Sequence, residues 1–139
     1  FTEADLESAR DGMSEVVYRR ARHVISENRR TREACEALSG GDLARFGILM
    51  NASDRSLRED YEVTNGELDA MTSIARSLPG CLGSRMTGAG FGGCTVSLVL
   101  RDDADRFCAE LARQYAATTG RSGETYVTRA ADGAGVVLG

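Results

Sequence analysis

The sequence predicts an α+β fold in which several helices precede a β-loop-β-α-β unit with a mostly antiparallel sheet. Two observations support this order. Apolar residues recur at helical spacing through roughly the first 80 positions, whereas the residues that follow include a run rich in β-branched residues beside a glycine-rich loop. A chain of 139 residues fits one domain, residues 1–139, and can bury a core without a metal or a disulfide.

The first two helices are predicted from their caps and periodicity. Thr2 can cap a short helix that runs to about Gly12, and a long helix follows from Ser14 to about Ser39. Its arginines are predicted to occupy a solvated face, away from a mostly apolar stripe in which residues recur at alternating steps of four and three. The stripe comprises Val17, Ala21, Val24, Asn28, Thr31, Cys35 and Leu38.

Two more helices are predicted before residue 80. Gly40 and Gly41 end the long helix, and Asp42 can cap the third one. Residues 58–63 break the helical pattern and are expected to be a connector with solvated carboxylates. A capping box formed by Thr64 and Glu67 then starts the fourth helix. The buried side of the third helix is predicted to carry Leu43, Phe46, Met50, Ser53 and Leu57.

The character of the sequence changes after Pro79 and Gly80, which end the fourth helix. Residues 81–87 are predicted to form a short strand, residues 88–93 a glycine-rich loop and residues 94–100 a second strand. Because the loop between the two strands is short, we expect the strands to be antiparallel neighbours.

A fifth helix and two further strands complete the predicted unit. Asp102 or Asp103 can cap the helix, and Gly120 can end it. Residues 124–129 are predicted to be a strand, and residues 136–138 a last edge strand. One face of the fifth helix carries Phe107, Leu111 and Tyr115.

Composition excludes several classes of function. The net charge of -4 argues against a nucleic-acid partner. All 17 basic residues are arginines, so phosphate or Schiff-base chemistry that needs lysine is excluded from this segment. No apolar run is long enough to span a membrane. None of the four cysteines lies in a C-x-x-C pair, and the single histidine, His23, is not placed to complete a metal site. The cysteines are expected to be reduced thiols of a cytoplasmic protein, and His23 a packing or hydrogen-bonding residue.

The glycine loop contains the pattern G-x-G-x-x-G between Gly88 and Gly93. A dinucleotide-binding loop of this pattern must lead into a helix, but the residues after Gly93 favour a strand. A Walker A loop requires lysine, which the chain lacks. What remains is a strand-loop-strand whose glycines allow positive φ and close approach of a ligand, with backbone N–H groups that can form an anion-binding nest. A tight turn of small residues is the structural alternative.

Three segments resemble galactokinases, a branch of the GHMP sugar and metabolite kinases. Residues 83–95 resemble the third, C-terminal motif of that branch, and residues 18–24 and 56–63 are similar to it as well. The glycine motif is shared more widely among these kinases, whereas the segment from Asp60 to Val63 points to the galactokinase branch. Ala89 stands where many relatives have glycine.

The resemblance implies that the chain is the C-terminal domain of a kinase that transfers the γ-phosphoryl of ATP to the anomeric hydroxyl of galactose. ATP and Mg²⁺ would be bound mainly by its partner, the N-terminal kinase domain of the same protein, which would also recognise the sugar. No catalytic or metal-binding residue is assigned to this chain, and alone it is expected to be inactive. Two alternatives stay open, the C-terminal domain of another GHMP kinase and a non-catalytic α+β ligand-binding module.

The implied nucleotide-site residues are those of the loop, which would shape the cleft: Gly88, Ala89, Gly90, Phe91, Gly92 and Gly93. Four further residues are candidates for the substrate cleft. Arg85 can face phosphate or form a structural ion pair, and Thr87 adjoins the loop. Asp60 and Tyr61 can line the cleft or brace a helix start.

Overall fold

The computed structural model describes residues 1–131, 133 and 135, and it confirms the predicted α+β architecture. Five α-helices and two strands follow one another in the described part of the chain, joined in places by short helical turns. Their bounds are α1 Glu3–Ser8, α2 Glu15–Ser39, α3 Leu43–Ser56, α4 Gly66–Ser77, β1 Cys81–Thr87, β2 Cys94–Val99 and α5 Ala104–Thr119.

Side-chain caps start the first four helices. Thr2 and Asp5 form a reciprocal capping box at α1, which ends at Ser8 before a separate 3₁₀ turn. Ser14 caps α2 and Asp42 caps α3, as predicted. The prediction of Thr64 as the cap of α4 is wrong.

The cap of α4 is Asn65, whose Oδ1 accepts a hydrogen bond from the N–H of Leu68 at 2.9 Å. Asn65 has the extended backbone that an N-cap needs, and its side chain reaches the third residue of the helix. The sequence pattern T-x-x-E therefore lies one residue out of register with the observed helix start.

The expectation of a solvated arginine face on the long helix α2 is met by Arg22, Arg29 and Arg32, which are exposed, but not by the other arginines. Arg30 is only 12% exposed, and Arg19 and Arg20 reach the segment that follows α3. The apolar stripe is instead open to solvent, with Val17 and Val24 about half exposed at 53% and 51%. The physical reason is that the polar side of α2 finds hydrogen-bond partners on α3, such as Ser53 and Ser56.

Helix α3 lies against β1 with their backbones in direct contact. An added Cβ at Gly47 would lie 2.1 Å from the carbonyl oxygen of Leu82, and one at Gly83 would lie 2.4 Å from that of Gly47. The prediction of a buried side is confirmed for Met50, Ser53 and Leu57, but Leu43 is exposed and Phe46 only partly buried.

Side chains of α3 and α4 cover the outer edge of β1. Asn51 accepts a hydrogen bond from the N–H of Ser84 at 2.9 Å, and Asp54 accepts one from the N–H of Met86 at 3.0 Å. Arg76 of α4 donates to the carbonyl of Ser84 at 3.0 Å and to Asp54 at 2.7 Å. This edge of the strand is therefore satisfied by side chains rather than by another strand.

The other edge of β1 pairs with β2, and the predicted antiparallel hairpin is confirmed. Ser84 lies opposite Ser97 and Thr87 opposite Cys94, with a shift in register between Cys81 and Gly83. The hydrogen-bonded part of β2 ends at Val99.

The predicted strand over residues 124–129 is wrong. These residues have no strand hydrogen bonds in the described structure, and Tyr126 is 77% exposed. Their β-branched and aromatic residues favour a strand, but a strand forms only where backbone partners are available. The predicted strand over residues 136–138 lies outside the described residues.

The core lies where α4 and α5 meet the sheet. Phe107, Leu111 and Tyr115 of α5 are buried as predicted, and Gly120 ends that helix with a φ of 70°. Asp103 occupies the N-cap position, but its side chain binds Arg106 instead of a backbone N–H. Within the residues described, no helix combines the length and apolar character needed to cross a membrane.

Candidate functional site at the glycine loop

The glycine loop joins β1 to β2 with a backbone that only glycine adopts readily. Gly88 has a φ of 87°, Gly90 of 85°, Gly92 of 141° and Gly93 of 106°. Phe91 also has a positive φ, 58°, which is uncommon for a bulky residue. The literal dinucleotide-binding interpretation is excluded by the structure, because the loop leads into β2 rather than into a helix.

One side of the loop rests on the backbone of Val63. The N–H of Phe91 donates to the carbonyl oxygen of Val63 at 2.7 Å. A Cβ added to Gly90 would lie 2.3 Å from the same oxygen, so Gly90 is needed for close approach as well as for its φ. The aromatic ring of Phe91 is 73% exposed and does not pack into the core.

The other side of the loop is open. A Cβ added at Gly88, Gly92 or Gly93 would meet no atom within 4 Å. The N–H groups of these glycines and of Ala89 find no acceptor among the described residues. Backbone donors that have no protein acceptor and lie in such an open loop suit an anionic group.

A π-helical turn, Leu57–Tyr61, extends α3 and leads towards the loop. This corrects the expectation of a solvated connector over residues 58–63. Three guanidinium groups of α2 hold the turn. Two of them bind its last carbonyls, which lack helical partners, and the third binds a carboxylate. Arg19 donates to the carbonyl of Glu59 at 3.0 Å and Arg20 to that of Asp60. Arg22 pairs with the carboxylate of Asp60.

Asp60 and Tyr61 both face protein partners. The Oγ of Ser56 donates to Asp60 at 2.9 Å and lies 3.0 Å from the Nδ1 of His23. The ring of Tyr61 stacks on that of His23 with 4.4 Å between centroids. The expectation that His23 is a packing or hydrogen-bonding residue is confirmed. Asp60 braces the π turn that follows α3 rather than a helix start.

Burial lowers the pKa of His23, because a charged imidazole would lose its hydration there. Glu27 behaves differently. Burial alone favours its protonated form, but hydrogen bonds from Ser53 and Arg30 outweigh that effect and lower its pKa. His23 is thus held neutral and Glu27 held as a carboxylate.

Arg85 and Thr87 lie on β1 beside a cavity of about 660 Å³ between α2, α3 and the sheet. The Nη1 of Arg85 lies 3.9 Å from Glu27, and its Nε donates to the carbonyl of Met86 at 3.0 Å. The loop glycines are not among the residues lining this cavity. Its apolar wall comprises Phe46, Leu49, Met50, Val96 and Leu98.

The structure therefore brings the sequence-predicted residues into two groups. The loop lies on Val63, two residues after Tyr61, whereas Arg85 and Thr87 face the cavity. Sequence reasoning missed Val63 and Glu62 as contacts of this region. The run of arginines in α2 was a signal for ion pairs with the carboxylates that cluster near residue 60.

The residues described contain no group of three histidine, cysteine, aspartate or glutamate side chains arranged to hold a metal ion. A Mg²⁺ ion held by three or more protein side chains therefore has no site among the described residues.

Comparisons with known proteins agree with the geometry of the fold. Residues 31–117 match the family model described as GHMP kinases C terminal. A galactokinase of Roseiflexus sp. (strain RS-1) is 50% identical over 137 residues, which is 99% of this chain and 35% of that protein. The chain thus spans about a third of the length of this curated relative.

Two solved structures are similar to the chain. The Lactococcus lactis galactokinase complexed with galactose has a TM-score of 0.84 at 41% identity, over 88% of this chain and 32% of that one. The L. major mevalonate kinase in complex with R-mevalonate has a TM-score of 0.62 at 29% identity, over 78% and 32% of the two chains.

Proposed function

Since this chain belongs to the GHMP kinases C-terminal family, we propose that it is the C-terminal domain of a galactokinase. The whole protein would transfer the γ-phosphoryl of ATP to the anomeric hydroxyl of galactose. The observation that supports this activity most strongly is the 50% identity to a galactokinase over 99% of the chain.

The glycine loop is the part of this domain that we assign to the nucleotide. ATP supplies the phosphoryl group, and its polyphosphate carries the negative charge that unpaired backbone N–H groups suit. The N–H groups of Gly88, Gly92 and Gly93 have no acceptor among the described residues, and these glycines lie in an open part of the loop. Phosphoryl transfer depends mostly on positioning and electrostatic stabilisation, so a loop without acid or base groups can contribute to it.

We assign general-base chemistry, sugar recognition and Mg²⁺ binding to the part of the protein outside this chain. Arg85 and Thr87 remain candidates for the substrate cleft. Tyr61, 39% exposed, can border it, whereas the contacts of Asp60 favour a bracing role.

The partner that we propose for the exposed stripe of α2 is the N-terminal kinase domain of the same protein. Val17, Val24 and Leu38 recur at seven-residue multiples on one helix face and are about half exposed. Such spacing suits packing against another apolar surface.

Val24→Glu in the complete protein should loosen that contact and lower the unfolding temperature of the protein. Leu100→Glu, at a similarly exposed site after β2, is the control, and equal effects would contradict this partner.

Another GHMP kinase is the second candidate, supported by the similarity to mevalonate kinase. The lower identity and TM-score of that match favour galactose over mevalonate. A ligand-binding module without catalysis is the third candidate, but it gives no reason for a glycine loop with an open face.

Activity of the complete protein tests the proposal. Purified protein should phosphorylate galactose with MgATP and leave mevalonate unchanged. This chain alone should give no turnover above a blank, because the sugar and metal sites are assigned elsewhere. Phosphorylation of mevalonate but not of galactose would replace the first candidate by the second, and no phosphorylation of any metabolite tested would favour the module.

We also propose a cytoplasmic location. Its support is that Cys35, Cys81, Cys94 and Cys108 are free thiols in the structure, as is usual in a reducing compartment. Cell fractionation with thiol labelling checks this, and recovery of the protein with oxidised cysteines would contradict it.

A further inference from the structure

The contact between the π turn and the glycine loop concentrates the unusual backbone conformations of this molecule. Glu62 and Phe91, both with a φ of 58°, are the two non-glycine residues with positive φ in the described part of the chain. Phe91 donates the hydrogen bond from its N–H to the carbonyl of Val63, and Glu62 directly precedes Val63. Such conformations cost free energy and persist only where surrounding contacts hold them.

The contacts that hold Glu62 come from α2. Its carboxylate accepts from Arg19 at 2.7 Å and from Arg20 at 2.5 Å. The same two guanidinium groups bind the carbonyls of Glu59 and Asp60. Each arginine thus joins the end of the π turn to the side chain that follows it. These paired contacts lower the pKa of Glu62, because Arg20 and Arg19 stabilise its charged form.

The position of Val63 follows from this arrangement. The left-handed conformation of Glu62 reverses the chain after the π turn, and the N–H of Val63 donates to the carbonyl of Leu57 at 3.1 Å. The carbonyl of Val63 then points at the glycine loop. A shift of Val63 would move the one acceptor that holds Phe91 and the surface against which Gly90 fits.

We propose that Glu62, clamped by Arg19 and Arg20, is a positioning residue that sets the place of the glycine loop through Val63. The role rests on the proposed nucleotide function of the loop. The clamp makes no contact with the loop itself, so it acts by holding the acceptor for Phe91 at a fixed point. Loss of the clamp should weaken nucleotide placement more than it weakens the folded core.

The test compares Glu62→Gln with Glu33→Gln in the complete protein. Glu33 is a matched control because it also accepts from two arginines, Arg29 at 2.6 Å and Arg45 at 2.7 Å, but it has no contact with the π turn. Hydrogen exchange of the peptide over residues 88–94 and KM values for ATP and galactose are measured. Glu62→Gly is a second variant that removes the carboxylate while it tolerates positive φ.

Both Glu62 variants should speed exchange in the loop peptide while peptides of α4 and α5 stay as in the unchanged protein. KM for ATP should rise roughly tenfold, since a misplacement of about 1 Å can cost more than that in a positioned reaction. KM for galactose and the Glu33→Gln control should not change.

Unchanged loop exchange in both variants would overturn the proposal, and so would faster exchange without a change in KM for ATP. Equal acceleration in the Glu33 control or in the core peptides would also overturn it, because the effect would then be general destabilisation. If the unchanged protein does not use ATP, the proposed function fails, and loop exchange alone decides whether the clamp positions the loop.

Discussion

The two ends of β1 use glycine for opposite purposes. At its start, Gly83 meets Gly47 of α3, where the two backbones are so close that no side chain fits. Beyond its end, Gly88 and Gly92 adopt positive φ and face open space. Glycine serves close packing in the first region and backbone conformation with exposed donors in the second. Substitutions should therefore affect stability at the α3–β1 contact and activity at the loop.

The largest effect is expected from removing the carboxylate at the α3–β1 contact. Asp54 is 1% exposed and accepts from the N–H of Met86, from Arg76 and from Thr72. Asp54→Ala should lower the free energy of unfolding by about 4 kcal/mol, because it leaves Arg76 and a buried N–H without their partner. Urea unfolding measures this.

An exposed carboxylate that also pairs with arginine is the control for Asp54. Glu110 binds Arg113 at the surface of α5, and Glu110→Ala should leave the unfolding midpoint unchanged. Similar losses in both variants would mean that the α3–β1 contact is no more critical than the surface.

Gly47→Ala should give the next largest effect. Alanine is the better helix former, so the substitution would stabilise an isolated helix, yet its Cβ would lie 2.1 Å from the carbonyl oxygen of Leu82. The added methyl group should push α3 away from β1 and lower the free energy of unfolding by about 2 kcal/mol. Gly66→Ala, in the first turn of α4 with no atom within 4 Å, should be neutral or stabilising. A stabilising Gly47→Ala would show that the contact is loose.

Gly92→Val tests the other half of the comparison. Valine at this positive φ should cost about 1 to 3 kcal/mol of stability. In the complete protein it should lower kcat/KM for ATP by roughly a hundredfold, because the open side of the loop is then displaced and obstructed.

Gly41→Val is the control for Gly92→Val. Gly41 has a φ of 71° and also has no atom within 4 Å, but it lies between α2 and α3. Its variant should lose stability without a specific loss in kcat/KM. If both variants lose activity only in proportion to the unfolded protein, the loop is structural and its assignment to the nucleotide fails.

The smallest effect is expected from His23, the single histidine. Burial holds its pKa below the ordinary value of 6.5, with Glu27, Asp60, Arg30 and Arg85 as the charged groups around it. The unfolded chain therefore binds a proton that the folded chain does not, and stability should fall as the pH drops below about 6.5. His23→Gln should reduce that fall. The free energy of unfolding is measured at pH 7.5 and pH 5.5. An equal decrease in the unchanged protein and in His23→Gln would contradict this expectation.

Local patterns predicted the hairpin well, because β1 and β2 carry strand-forming residues and the loop between them is too short for any other connection. They also placed Phe107, Leu111 and Tyr115 on the buried face of α5. These features depend on contacts within a few residues or on a single helix face. Sequence reasoning could reach them for that reason.

The orientation of α2 could not be predicted in the same way. Its hydrophobic stripe faces solvent in this chain. Arg19, Arg20 and Arg22 contact the π turn instead, and their partners lie about 40 residues away in the sequence. The π turn also depends on distant residues, since Arg19, Arg20 and Arg22 of α2 bind it in addition to its local hydrogen bonds. The positive φ of Glu62 follows from those distant contacts and not from any preference of glutamate.

The covered edge of β1 limits how this sheet can grow. Asn51 and Asp54 occupy the N–H groups of Ser84 and Met86, so no strand can add on that side without displacing them. Ser97 lies opposite Ser84 in a pair without mutual hydrogen bonds, so its backbone groups point away from β1, at the outer edge of β2. Strand addition, whether by another part of the same polypeptide or in aggregation, is thereby directed to β2 alone.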